Sequence, residues 1–153
     1  MLEVGVVPVG IETYANSRRL EKSFRLQGAD LETEYTAIEA AIQRPLVKEA
    51  DFHGKAAHLA HREEDPCAIL CTMTLDDLNV SGKTRYPVGI SPIIDPATGE
   101  VPIDSKGRRS YTTGMSYCPS LKKFVVMGYL PKEIAIQGKS LLIEYFNEDG
   151  DGL

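Results

Sequence analysis

The sequence predicts an α+β protein, with a mixed α/β lead segment over residues 1–65 and a small antiparallel β-barrel of Greek-key or jelly-roll type over residues 66–153. Three observations predict it. Before residue 65 apolar positions recur at helical spacing. After it, short runs rich in β-branched and aromatic residues appear at 68–75, 109–113, 124–130 and 140–146. Turn residues punctuate those runs at Ser81-Gly82, Pro87, Asp95-Pro96, Thr98-Gly99 and Lys106-Gly107.

In chain order, residues 2–9 read as an extended entry broken at Pro8. Gly10 then opens a helix whose stripe is Ile11, Tyr14, Ala15, Arg18 and Leu20, with Glu12, Asn16 and Arg19 off the stripe. Gln27 to Asp30 is a turn, and a stretch rich in Glu and Thr leads to a mostly apolar run over 38–47. Asp51 reads as the N-cap of a helix over 52–61, closed by Glu63, Glu64, Asp65 and Pro66. The run over 124–130 is the centre of the β part. Pro119 fixes its own φ and forces a turn before it, Lys122 and Lys123 face solvent, and Pro131 stops it.

At 153 residues the chain has the size of one domain, and 42% apolar with 25% charged residues is ordinary for a globular protein. A net charge of -5, with Lys and Arg scattered, argues against nucleic acid as a partner. The nearest approach to a basic patch, Lys106, Arg108 and Arg109, reads as loop decoration. No apolar run approaches the roughly 20 residues of a membrane helix, and Met1 to Gly5 lacks the charged start of a secretory signal. Cys67, Cys71 and Cys118 are an odd number without a C-x-x-C pair. They read as free thiols in a reducing compartment, cytoplasm or mitochondrial matrix, and Cys67 and Cys71, an even number apart, read as small buried hydrophobes on one strand face.

The residues themselves name no catalytic or metal site. His53, His58 and His61 lie in or beside one helix, where solvent-facing histidines explain them as well as a zinc site with Glu63 or Glu64 would. The tail through Asn147, Asp149, Asp151 and Gly152 has the first half of a calcium loop without its bidentate Glu. Gly82-Lys83-Thr84 and Gly138-Lys139-Ser140 lack the leading glycine of a phosphate-binding loop, whose place is held by Asp77 and Glu133. Around Ser116 the second glycine of a nucleophile elbow is missing.

Three stretches, in order, carry a resemblance. Arg19-Leu20-Glu21-Lys22 with Phe24, Arg25, Gly28 and Asp30 is the first, and Asp51-Phe52 with Gly54-Lys55 and Ala57 is the second. The third is Thr113, Pro119-Ser120-Leu121 and Lys123, then an apolar strand ending Gly128-Tyr129-Leu130-Pro131. Together they resemble the distal part of the glycine cleavage system T-protein (aminomethyltransferase) family. Gly114 and Met115 depart from the family's usual Ser-Gly. Glu21-Lys22 with Phe24-Arg25 is closer in flavour to the folate module of sarcosine and dimethylglycine dehydrogenases.

The resemblance implies one-carbon transfer from glycine or a methylated amine to tetrahydrofolate. It implies no catalytic residue in this chain, because the family's catalytic aspartate lies upstream, and a fragment inert alone. Residues 1–65 would be the remnant of a folate-binding domain and 66–153 the C-terminal barrel. Phe24 falls where some members have a tyrosine close to the folate, a core aromatic being the competing reading. A family arginine falls at Ala15, and Arg19 and Glu21 would brace the helix against the barrel. Implied partners are the upstream folate or flavin portion, a small amine donor and, through an open sheet edge, a second copy. The alternative is a non-catalytic barrel serving as an interaction or scaffold subunit.

Overall fold

The computed structural model describes residues 2–76 and 89–144. The turns at Ser81-Gly82 and Pro87, the Gly82-Lys83-Thr84 tripeptide, the end of the 140–146 run and the acidic tail lie outside the described residues.

From Phe124 to Pro131 every residue is buried, so this strand needs cover on both faces. It is the middle of a three-stranded antiparallel sheet of order β1-β4-β3, with β1 at Ala68–Thr74, β3 at Tyr111–Cys118 and β4 at Lys123–Pro131. One face packs Val125, Met127 and Tyr129 against Leu20, Tyr35, Leu70 and Cys118. The other packs Phe124 and Val126 with Met115, Met73, Leu75 and Ile143. Each such side chain contributes about 1.5–3 kcal/mol on burial.

The β3–β4 hairpin turns at Pro119 as expected, and Lys122 takes a left-handed φ of 53° to close it. Strand β3 is longer than the predicted 109–113 run. A register shift between Thr112 and Gly114 interrupts the ladder, and pairing continues to Cys118 with Lys123. Gly128 is required by close approach: a Cβ there would stand 2.7 Å from the Tyr111 carbonyl oxygen and 2.8 Å from Ile93 Cδ1.

A second antiparallel pair joins β2 (Ile93–Ile94) to β5 (Leu142–Ile143). The Ile93 amide donates to the Ser110 carbonyl at 3.2 Å, which holds this ribbon against the root of β3. Among the described residues the strands form an open sheet and a ribbon, and the expected closed barrel is not shown.

The lead segment is helix and turn. Its described residues contain no strand, only an isolated bridge between Gln27 and Leu31, so the α/β character expected for it is corrected. Residues 11–21 are one helical stretch containing a π-helical turn at Thr13–Arg18 and ending in α1 at Arg19–Glu21. Helix α2 is Lys55–Glu63 and starts later than its predicted N-cap at Asp51, because Gly54 stands at φ 82° just before it. None of its residues is buried.

Two burial expectations are also corrected. Cys67 and Cys71 are only half-buried, because Ala68 and Leu70 take the core side of β1. Phe24 is not a core aromatic: it is 65% exposed.

Candidate functional site

The helix ending at Glu21 is locked to the sheet by a buried polar knot. Arg19 is almost fully buried, and its Nη1 makes an ion pair with Asp30, which is wholly buried. The same guanidinium donates through Nε to the Ala15 carbonyl at 2.6 Å and through Nη1 to the Phe24 carbonyl at 3.3 Å. Asp30 also accepts from the Thr113 hydroxyl on β3 and from the Leu26 amide at 2.8 Å, and its carbonyl accepts from Tyr129 Oη at 2.7 Å. Both oxygens of the buried carboxylate are thus met by donors, as a buried polar group requires. Gly114 makes room: a Cβ there would meet Arg19 Nη2 at 2.4 Å.

A second clamp ties the helix end to the hairpin turn. Glu21 accepts from the Ser120 amide at 2.9 Å and its hydroxyl at 3.2 Å, and from Arg18 Nη1 at 3.0 Å. The Ser120 amide, then Arg18, hold the Glu21 carboxyl below its ordinary pKa. The Ser17 and Ser116 hydroxyls meet at 3.0 Å beside it. Arg19 and Glu21 are therefore braces, as the resemblance implies.

These two anchors frame a cavity of about 740 Å³ on the outer side of the helix. Tyr14, Arg18, Lys22, Phe24, Arg25 and Leu121 line it, and Ala15 borders it as well. Phe24 is aimed there by its neighbours: its amide donates to the Arg19 carbonyl at 2.9 Å, and Ser23 before it takes φ 53°. Arg25 is anchored to the Ala40 carbonyl at 2.9 Å. The wall thus offers two exposed rings and a surplus of cationic side chains over the single carboxylate of Glu21. Such a lining suits a planar ligand with an anionic end.

The sequence reading missed a third network. Arg108, assigned there to loop decoration, is a half-buried anchor: it pairs with Glu39 at 2.5 Å and Asp104 at 2.7 Å and lies 4.3 Å from the centre of the Tyr35 ring. Tyr35 in turn stacks on Tyr129 with centroids 3.5 Å apart. The signal was present in Thr36-x-x-Glu39, a capping box whose Thr36 amide donates to Glu39 at 2.9 Å and whose Glu39 amide donates to the Thr36 hydroxyl at 3.2 Å.

A further cavity of about 760 Å³ lies between β1 and residues 134–143 and is lined mainly by apolar side chains such as Met73, Leu130 and Ile134. Cys71 borders it, its thiol pushed up in pKa by burial, and Lys139 there is paired with Asp95 at 2.6 Å. His53 is exposed, His58 and His61 are half-buried on α2, and no group of three or more potential metal ligands exists among the described residues. No helix among them is long and apolar enough to cross a membrane.

No protein-family profile matches the chain. It is 29% identical over 152 residues to an aminomethyltransferase of Francisella philomiragia, covering 94% of this chain and 38% of that protein. An aminomethyltransferase of Koribacter versatilis is 29% identical over 150 residues, covering 95% of this chain and 35% of the relative. The similarity to aminomethyltransferases therefore runs along nearly all of this chain and a little over a third of theirs.

Proposed function

We infer that this chain supplies one wall of a tetrahydrofolate site in an aminomethyltransferase of the glycine cleavage T-protein type, corresponding to its distal part. The carrying observation is the knot and clamp that bind Arg19 and Glu21 to Asp30, Thr113 and Ser120, because it joins the first and third stretches of the resemblance into one rigid unit. The similarity to aminomethyltransferases along the chain supports the same reading.

In this reading residues 1–65 belong to a folate-binding domain and 66–153 to a C-terminal barrel that closes by Greek-key or jelly-roll connections. The cofactor, when bound, accepts the one-carbon unit released from glycine or a methylated amine. Phe24 and Tyr14 flank its ring system, and Arg18 and Lys22 face its carboxylates. The Glu21-Lys22-x-Phe24-Arg25 pattern favours a methylated amine of the sarcosine or dimethylglycine kind. Catalytic groups come from the portion that this chain does not match, so the chain alone is inert. The compartment is cytoplasm, or mitochondrial matrix in a eukaryote.

A second reading is a non-catalytic interaction or scaffold subunit of the same fold, and what favours it is that Glu21, the carboxylate that lines the cavity among the described residues, is engaged by Ser120 and Arg18. A nuclear magnetic resonance titration separates the two. Tetrahydrofolate at millimolar concentration should shift the Phe24 and Tyr14 ring signals under the first reading. Shifts confined to other residues, or none, would leave only the scaffold.

A further inference from the structure

Residues 132–141 lead from β4 to β5 and face β1 across the cavity of about 760 Å³. Their ends are tied in: the Ile134 amide donates to the Pro131 carbonyl at 3.0 Å, and just past β5 the Glu144 amide donates to the Pro92 carbonyl at 3.1 Å. Between these ties every residue from Ile136 to Ser140 is exposed. Among the described residues, the one hydrogen bond or ion pair that joins that stretch to another element runs from Lys139 Nζ to Asp95 at 2.6 Å. Asp95 is the fixed end of this contact, since its other carboxylate oxygen accepts the Ala97 amide at 3.0 Å and its carbonyl accepts the Gly99 amide at 2.8 Å. A segment held at its ends and at a single point between them opens more readily than a packed sheet.

The cavity has an apolar floor on one face of the sheet, made by Met73, Leu75, Val126 and Leu130. The floor is low where the small Cys71 stands opposite Gly128 in the ladder, which puts the thiol in the lining. Two charged side chains border the space, and both are already paired: Lys139 with Asp95, and Asp76 with Lys123 at 3.7 Å. A charged ligand group would lose its water there and find no free partner, whereas an apolar one matches the walls. We propose that residues 132–141 are a strap, latched by Lys139 and Asp95, over a binding site for an uncharged, apolar small molecule. The site shares no residue with the cavity beside Phe24 and does not depend on the function proposed above.

The test uses phenylnaphthylamine, an uncharged dye whose fluorescence rises in apolar surroundings, together with N-ethylmaleimide labelling of the full chain read by peptide mapping. The dye should bind and slow the labelling of Cys71 at least about fivefold, while Cys67, which is outside the cavity, labels as before. Its anionic relative, anilinonaphthalene sulfonate, should protect Cys71 more weakly. Lys139→Met removes the latch and, without dye, should speed Cys71 labelling about tenfold, again with Cys67 unchanged. Asp95→Asn, which keeps an oxygen for the Ala97 amide, should do the same, so that a folding defect peculiar to one variant does not decide the matter. Dye bound without protection of Cys71, equal protection by the anionic dye, or an acceleration that is shared by Cys67 or absent from both variants would overturn the proposal.

Discussion

Arg19 and Asp30 form a buried ion pair, and Ala15, Phe24 and Leu26, three of the residues that line the candidate cavity, are each hydrogen-bonded to one or the other. Arg19 holds the Ala15 and Phe24 carbonyls, and Asp30 holds Leu26, Thr113 and Tyr129. Removing one partner strands the other charge. Asp30→Ala should therefore cost about 3–5 kcal/mol in urea unfolding. An Arg19→Met, Asp30→Leu double variant, which leaves no buried charge, should cost less than Asp30→Ala alone.

Two glycines rank in a predictable order. At Gly128 the obstacle to a side chain is the Tyr111 backbone, which cannot move aside, and Gly128→Ala should abolish folding or cost more than about 3 kcal/mol. At Gly114 the obstacle is the end of the Arg19 side chain. That end is pinned by several hydrogen bonds, so Gly114→Ala should cost about 1–3 kcal/mol. Denaturant midpoints of the two variants would check the order.

The Glu39–Arg108 pair predicts a pH dependence. Burial opposes the Glu39 charge, but the hydrogen bonds from Arg108 and the Thr36 amide outweigh it and hold the Glu39 pKa below its ordinary value of 4.5. A carboxylate with a lowered folded pKa stabilises fully above its unfolded value, and that contribution disappears as pH falls through the folded one. Stability should thus decline below about pH 4.5, and Glu39→Gln should be less stable near neutrality and flatter across that acid range. Thermal unfolding of both proteins between pH 3 and 7 would show it.

The Glu21 clamp is local, and its loss should be too. Glu21→Gln should speed hydrogen exchange of the Ser120 amide roughly tenfold, with little change in the amides of the central strand. Equal acceleration in both places would mean that Glu21 supports the whole fold and does more than hold the hairpin turn.

How far the sequence could be read follows the physics of each element. The central strand was legible almost to its ends, since an apolar run bounded by Pro119 and Pro131 leaves few alternatives. The first β strand was equally plain. Strand β3 runs past the expected 109–113 because a register shift at Gly114 lets pairing continue, and the contact with Arg19 explains the glycine. Helix α2 was displaced because Asp51 is a good cap by type, yet the chain turns at Gly54. Strand β2 is two residues long, too short for any periodicity. The braces Arg19 and Glu21 were found through the resemblance. Arg108 was misread because its partners Glu39 and Asp104 are brought together only by the fold, and a single charged residue carries no local sign of its partner.

If this chain supplies one wall of a folate cavity, tight binding of tetrahydrofolate needs the complementary portion as well. Calorimetry with tetrahydrofolate tests it most directly, on the chain alone and on the chain co-purified with the complementary aminomethyltransferase portion. The chain alone should show no micromolar binding, and the pair should bind in the micromolar range, weakened by Phe24→Ala. Micromolar binding to the isolated chain, or a stable pair that does not bind, would contradict it.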